Sequence, residues 1–334
     1  MKVYYFSSDK NNVTVHYLDI IIEAISRMNI KVEELLSPSW QHTKRLSRSD
    51  SWFITTGHKD VAKLTLLGFR HFINWFQGLP AEEDYLQTGS LIRKWAMNIL
   101  DYITFVRPLF GFFVSTHQIS YFTKKFHHTP RHTFVMPCFN EDISVKHFFT
   151  QGKYENNEFC YVGSTDAWQC FDEIIELYKN LETSHENCSL KIITQHPEQA
   201  RIIVNKAALK RYVIKSVSRE QVAQEIATSK FGFIIRHDIS VNHVATPTKM
   251  SNYLANGVMP VFSNSLYSYC DLAKKHKYMY VVTPDNAINV IETAMNTVIK
   301  PEEVLESYKS VFDTYFNKEK YICRIIEELK CYLG

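Results

Sequence analysis

Two cations dominate the chemistry this sequence offers. Arg236 closes the apolar run Phe231-Gly232-Phe233-Ile234-Ile235, and Lys249 opens the segment Lys249-Met250-Ser251-Asn252-Tyr253-Leu254-Ala255. A guanidinium at the end of a buried strand is costly unless it faces water or an anion. A lysine in a first helical turn is disfavoured because that end of a helix is already positive. With the free backbone amides of a helix start, the pair suits an anion such as phosphate or pyrophosphate. The same spacing also allows a plainer reading, in which Arg236 pairs with Asp238 and Lys249 is solvated. Gly163-Ser164, after the run Phe159-Cys160-Tyr161-Val162, offers either amides for a phosphate oxygen or an ordinary strand-to-helix turn. No Asp-x-Asp, no Cys-x-x-Cys and no His/carboxylate cluster with ligand spacing stands in the sequence. Asp166 and Asp172 read as surface or capping residues.

In the first half, Gln77-Gly78 ends an apolar run and Glu82-Glu83 follows. The two carboxylates either orient a substrate hydroxyl or form a solvated helix start. His117 lies just past another apolar run, one of fourteen histidines. Lys44, Arg45 and Arg48 form a basic loop, and Phe122, Lys124, Lys125, Phe126, His127, His128 and Arg131 interleave charge with aromatics. Such patches dock on anionic headgroups or a lipid diphosphate, or are simply solvated.

These residues need a scaffold, and the composition bounds it. The 334 residues are about two domains long. With 45% hydrophobic and 22% charged residues the chain is an ordinary globular protein, neither disordered nor collagen-like. A net charge of +3 gives no case for a nucleic-acid partner. Seven scattered cysteines favour reduced thiols in a cytoplasmic setting. The run 103–114, broken by Arg107 and Pro108, is too short to span a bilayer, and a start that turns at once at residues 7–10 fits no signal peptide.

Short apolar runs alternate with amphipathic ones, which calls for parallel sheets covered by helices. Strands are expected at 3–6, 31–35, 52–55, 71–76, 111–115 and 133–136. Helices are expected at 15–28 and at 90–104, the latter with an apolar stripe at Ile92, Trp95, Ala96, Ile99 and Leu100. Residues 137–157 lose periodicity and read as a linker. The second half restarts with strand 159–162, helix 168–181, strand 190–194, helix 198–206, strand 212–214 and helix 219–228, capped by Ser218. Strand 232–236, helix 249–256 closed by Gly257, strands 259–263 and 278–282, and helices 301–316 and 318–333 complete it. The expected fold is α/β: two Rossmann-like doubly wound domains facing each other across a cleft, with ligands beyond the carboxyl ends of the strands. The domains are placed at 1–145 and 155–300, with the helices of 301–334 packing back on the first.

Several motifs in this order resemble those of retaining GT-B glycosyltransferases of bacterial surface-polysaccharide synthesis, the family 4-like group. Ala245-Thr246-Pro247-Thr248-Lys249, Tyr253-Leu254-Ala255-Asn256-Gly257 and Pro260-Val261 are similar to that family's donor-binding segment. Tyr161-Val162-Gly163-Ser164 with Trp168, Trp75-Phe76-Gln77-Gly78-Leu79-Pro80-Ala81-Glu82-Glu83, Phe113-Val114-Ser115 and Met136-Pro137-Cys138-Phe139 extend the likeness over roughly residues 70 to 265.

The resemblance implies a nucleotide-diphospho-sugar donor held by Gly163, Ser164, Arg236, Thr248, Lys249 and Asn252. Arg236 and Lys249 then neutralise the departing diphosphate, with no cofactor and no metal. Gln77 falls where relatives present a sugar-contacting histidine, and it joins Arg236 and Lys249 as a catalytic candidate. Gln77, Glu82, Glu83 and His117 are the acceptor-side candidates. Two departures stand out. Asn252 replaces a glutamate that accepts from ribose hydroxyls, and Val244 replaces a second glutamate, leaving Asn242 or His243 to approach the sugar. The expected activity is hexosyl transfer from a nucleotide sugar to a lipid-linked or oligosaccharide acceptor, at the cytoplasmic face of a membrane, with retention of configuration and no nucleic-acid partner. A nucleotide-sugar epimerase of the same fold and a silent nucleotide-sugar-binding subunit are the alternatives.

Overall fold

The computed structural model describes residues 1–6, 12–35 and 43–333; the turn read at residues 7–10 lies outside the described residues. The chain forms two units, one of Met1–Cys138, His243–Thr246 and Asn317–Gly334, the other of Phe139–Asn242 and Pro247–Phe316.

The first unit runs β1 (Lys2–Phe6), α1 (Asn12–Arg27), β2 (Val32–Leu35), β3 (Ser51–Thr55), α2 (His58–Leu66), β4 (His71–Phe76), α3 (Pro80–Thr88), α4 (Leu91–Val106), β5 (Phe110–Phe113), α5 (Thr116–Phe126) and β6 (Thr133–Val135). Its six strands are parallel, in the order β2-β1-β3-β4-β5-β6. Every residue of β3 and β5 is buried, because helices cover both faces of a parallel sheet. On one face Trp75 stacks on Tyr17 of α1, ring centroids 3.9 Å apart. On the other, Phe76 stacks on Phe113 at 4.4 Å and both meet Phe105 of α4 edge-on. The terminal helix, Lys318–Leu333, packs on α1, where Lys318 pairs with Glu23 at 2.8 Å and Arg27 pairs with Glu319.

The second unit contains β7 (Asn157–Val162), α6 (Phe171–Ser184), β8 (Cys188–Ile193), α7 (Pro197–Lys206), β9 (Tyr212–Lys215), α8 (Arg219–Ile226), β10 (Phe231–Ile234), α9 (Lys249–Ala255), β11 (Met259–Ser263), α10 (Tyr267–Ala273), β12 (Tyr280–Val282), α11 (Ala287–Met295) and α12 (Pro301–Thr314). Its strands are also all parallel, ordered β12-β11-β10-β7-β8-β9. The order reverses between the adjacent strands β7 and β10. That switch point leaves a crevice beyond their carboxyl ends, where doubly wound sheets bind ligands. The expected α/β class and doubly wound parallel sheets are therefore present in both units. Ser218 and Gln221 form a capping box on α8, and Gly257 takes φ +68° after α9, as a C-cap glycine should.

Four expectations are corrected. Residues 137–157 are no free linker: Phe148 and Tyr154 are buried, and the buried Lys153 ammonium donates to the carbonyls of His147, Ala227 and Asn256. Burial lowers that lysine's pKa to about 7. Strand β10 ends at Ile234, so Arg236 lies past the strand. The apolar stripe of α4 faces away from the core, with Ile92 82% and Trp95 67% exposed, while Asp101, Thr104 and Phe105 turn inward. Phe122, expected in a surface patch, is buried among Phe76, Phe105 and Phe126.

Candidate functional site

At the switch point of the second unit, Arg236 and Lys249 converge on one glutamine. Arg236 is anchored through its backbone, its N–H donating to Ser263 Oγ at 2.8 Å and its carbonyl accepting from Ser265 Oγ at 3.2 Å. The guanidinium donates to Gln169 O at 2.8 Å and Gln169 Oε1 at 2.6 Å, and also to the Ile235 carbonyl. Lys249 Nζ donates to the same Gln169 Oε1 at 2.7 Å and lies 4.2 Å from the Tyr161 ring centroid. Both side chains are buried. Among the described residues no carboxylate pairs with either, Asp238 included. Burial lowers the pKa of Arg236, and burial together with Arg236 holds Lys249 well below the usual lysine range. Two buried positive groups sharing a neutral amide oxygen leave the site short of negative charge, the state an anionic ligand corrects.

Gln169 gets there through a local irregularity. The helix expected from 168 is a single 3-10 turn, Ala167–Gln169, and Cys170 then takes a left-handed φ of +52° before α6 starts. Gly163 is required by Lys249. A Cβ on Gly163 would lie 2.6 Å from Lys249 Nζ, and the backbone there has φ +148°. The Gly163 N–H donates to the Ile193 carbonyl, so that amide is engaged in the sheet. Ser164 Oγ donates to Asp166, and the Ser164 carbonyl accepts from the Tyr161 hydroxyl.

Asn252 lies one turn along α9, its N–H donating to the Thr248 carbonyl. Its Oδ1 is buried and finds no donor among the described residues. That orphaned acceptor suits a hydroxyl donor. Asn242 is buried and donates to the His237 carbonyl at 2.8 Å, whereas His243 and Val244 belong to the first unit, where Val244 O accepts from Ser115 Oγ at 2.7 Å.

The first unit has its own cavity, about 250 Å³, beyond the carboxyl end of β4. Thr56, His58, Asn74, Gln77, Gly78, Glu83, Asp101 and Thr104 line it, with Phe122. Glu83 Oε1 accepts from the Leu79 N–H at 3.0 Å, and burial raises its pKa. Asp101 accepts from the Ala81 N–H at 3.3 Å, and burial pushes it up to about 6. His58 Nε2 is buried without a partner among the described residues. Two reluctant carboxylates, an unpartnered imidazole nitrogen and two amides are groups that hold hydroxyls. Gln77 and Glu83 thus share this cavity. Glu82 is turned elsewhere, bound by Lys94 at 2.7 Å, Lys125 at 3.0 Å and the Tyr121 hydroxyl at 2.7 Å. These bonds outweigh its burial and lower it to about 2. His117, in the first turn of α5, does not line the cavity.

Gln169, Asn74, His58 and Asp101 were missed by sequence reasoning. Gln169 sat inside an expected helix, and Asp101 on what reads as the polar face of α4. Only His58, after the run Trp52–Thr55, carried the signal of a polar residue following a buried strand.

No protein-family model and no curated protein matches the chain. Solved structures do. Over 99% of this chain and 99% of that one, it is similar to a sucrose-phosphate synthase from Thermosynechococcus elongatus, at 11% identity and a TM-score of 0.74. Anabaena HepE in complex with UDP-glucose gives 10% identity and 0.73, over 99% of this chain and 100% of that one. The E. coli trehalose-6-phosphate structure bound with UDP-2-fluoro glucose gives 11% and 0.65, over 100% and 99%. At such identities the likeness establishes the fold, which is that of GT-B glycosyltransferases.

Proposed function

We propose that this protein is a glycosyltransferase that moves a hexosyl group from a nucleotide-diphospho-sugar to a lipid-linked or oligosaccharide acceptor in cell-surface polysaccharide synthesis, working at the cytoplasmic face of a membrane. One observation carries the reading: Arg236 and Lys249 are buried together at the switch point, on one glutamine oxygen, without a carboxylate. A diphosphate supplies the missing charge. As the bond between the sugar carbon and the diphosphate oxygen breaks and the acceptor oxygen bonds to that carbon, negative charge grows on the leaving group. The two cations are already in place to meet it. They carry the charge stabilisation that a divalent metal would otherwise bring, so the reading needs no metal. Retention of configuration is carried over from the motif resemblance.

Asn252 Oδ1 takes a ribose hydroxyl, and Gly163 leaves room for Lys249. Gln77, Glu83, Asp101 and His58 offer acceptor hydroxyls a binding cavity within the first unit. HepE and the E. coli structure hold uridine nucleotides, which makes UDP the first ligand to try.

A thermal-shift screen against UDP, GDP, ADP, CMP and dTDP, with and without Mg²⁺, tests the reading, since a ligand of the native state raises the melting point by mass action. One nucleotide diphosphate is expected to shift the protein without Mg²⁺, and its hexose conjugate to be turned over. No shift with any of the five would refute it.

A further inference from the structure

Next to Gln169 and Arg236 the second unit gathers a thiol, a carboxylate and an imidazole from two parts of the chain. Cys170 is the residue before α6, Glu173 lies in the first turn of that helix, and His237 follows β10. His237 Nε2 and Glu173 Oε1 are 3.0 Å apart, and the Cys170 sulfur, a Glu173 oxygen and a His237 ring nitrogen all lie within 4.8 Å of one another. Three such donors held about 2.0–2.3 Å from a tetrahedral zinc ion stand roughly 3.3–3.7 Å apart. The His237 and Glu173 side chains are 53% and 45% exposed, so small turns about their own bonds close the difference.

The sulfur corner is built by the backbone. Cys170 takes its left-handed φ of +52° and is buried, and its thiol makes a long bond, 3.8 Å, to the Trp168 carbonyl. The His237 N–H donates to the sulfur, a contact that suits a metal-bound thiolate. Burial raises the thiol's pKa and so does the Glu173 charge, whereas that N–H, Arg236 and Lys249 lower it. A cation between sulfur and carboxylate turns their repulsion into shared attraction. His237 is itself fixed, its carbonyl accepting from Asn242 Nδ2 at 2.8 Å and from the Ile239 N–H at 3.0 Å.

We propose that Cys170, Glu173 and His237 bind one zinc ion, with water in the fourth position, and that the ion clamps the turn carrying Gln169 to the segment carrying Arg236. One sulfur, one nitrogen and one carboxylate form a zinc ligand set and offer too few oxygens for Mg²⁺ or Ca²⁺. As the sulfur–zinc bond forms, the thiol proton passes to solvent. Thiolate and carboxylate then cancel the two charges of the ion, so it adds no net charge beside Arg236 and Lys249. The proposal holds whether or not the protein transfers a hexose, because the clamp takes no part in that step.

The test uses the full chain, kept reduced and freed of metal by a chelator. Calorimetry with Zn²⁺ is expected to find one ion bound per chain with a Kd on the order of 1 µM or tighter, and no heat with Mg²⁺. Zn²⁺ should raise the melting temperature by mass action, and Co²⁺ should give a near-ultraviolet sulfur-to-metal charge-transfer band. Cys170→Ser is expected to lose that band and the Zn²⁺-induced shift. Glu173→Gln, on an exposed side chain, should keep the band and weaken Zn²⁺ at least about tenfold. Should Cys170→Ser not fold, the wild-type band and Glu173→Gln still decide. Absence of Zn²⁺ binding overturns the proposal. So does a band that survives Cys170→Ser, which would assign the metal to another thiol such as exposed Cys323 or Cys331, and so does Zn²⁺ affinity that Glu173→Gln leaves unchanged.

Discussion

Replacing Lys249 by methionine separates a ligand-binding cation from a structural one, because the two roles predict opposite changes in stability. In the free protein the ammonium is buried beside Arg236 with one amide oxygen and a ring face for company. A lysine whose folded pKa is lowered costs stability at every pH below its unfolded value near 10.5, since only the unfolded chain hydrates the charge fully. Methionine fills a similar volume without that cost. Gln169 Oε1 keeps its bond to Arg236. Removing an uncompensated buried charge in favour of an apolar isostere gains on the order of 1 kcal/mol or more, or a rise of roughly 2–4 °C for a domain of this size.

The effect on turnover has the other sign. At about 4 Å and an effective dielectric constant of about 20, unit charges attract by about 4 kcal/mol. If about half a charge develops on the leaving diphosphate, the lysine is worth about 2 kcal/mol in the transition state, or roughly thirtyfold in rate. Differential scanning calorimetry without ligand, and initial rates of release of the nucleotide from its sugar conjugate, are the two assays. A variant that melts lower yet turns over at the wild-type rate would refute the argument.

The remaining predictions follow from the same geometry. A bound diphosphate raises the lowered pKa of Lys249, so nucleotide affinity falls as pH rises through the range where the free protein's lysine titrates, and binding there takes up a proton; calorimetry in two buffers of different ionisation heat measures this, and proton release would contradict it. Asn252→Ala is expected to weaken UDP binding about fivefold, the worth of one neutral hydrogen bond, without lowering the melting point, because Oδ1 has no protein partner to lose; titration calorimetry decides. Gly163→Ala puts a methyl group against Lys249 Nζ and should abolish nucleotide-induced stabilisation, seen as a lost thermal shift. Asp101, raised from 3.8 to about 6, binds its proton more tightly when folded, so its contribution to stability is full below about pH 4 and is lost as pH rises through about 6, by about 3 kcal/mol. Asp101→Asn should therefore flatten the pH dependence of urea unfolding in that window.

What could be read in the sequence followed physical periodicity. The strands Phe159-Cys160-Tyr161-Val162 and Met259–Ser263 are apolar on both faces, which only a covered parallel sheet explains, and the structure has both there. Arg236 and Lys249 were visible because each breaks a local electrostatic rule. Gln169 was not, since its position depends on a left-handed Cys170 that no pattern announces. The stripe of α4 misled for a different reason: periodicity shows that a helix has an apolar side, but not whether protein covers it. Ile92 and Trp95 satisfy the core pattern and face outward, while Asp101 violates it and faces in. The packing of 137–157 was hidden because Lys153 is held by carbonyls of residues distant in sequence.

The membership of Lys318–Leu333 in the first unit has a consequence for biosynthesis. Residues 1–138 leave the ribosome before the second unit, yet α1 lacks the helix that covers it, and the Glu23 and Arg27 partners at 318 and 319, until residues 139–316 have been translated. Phe110 and Phe134 likewise wait for Tyr332 and Tyr321. The nascent first unit must therefore remain incomplete while the second emerges and folds, exposing an apolar face that chaperones would recognise. A premature stop near codon 317 would spare every residue of the switch-point crevice and still deliver a protein destined for proteolysis.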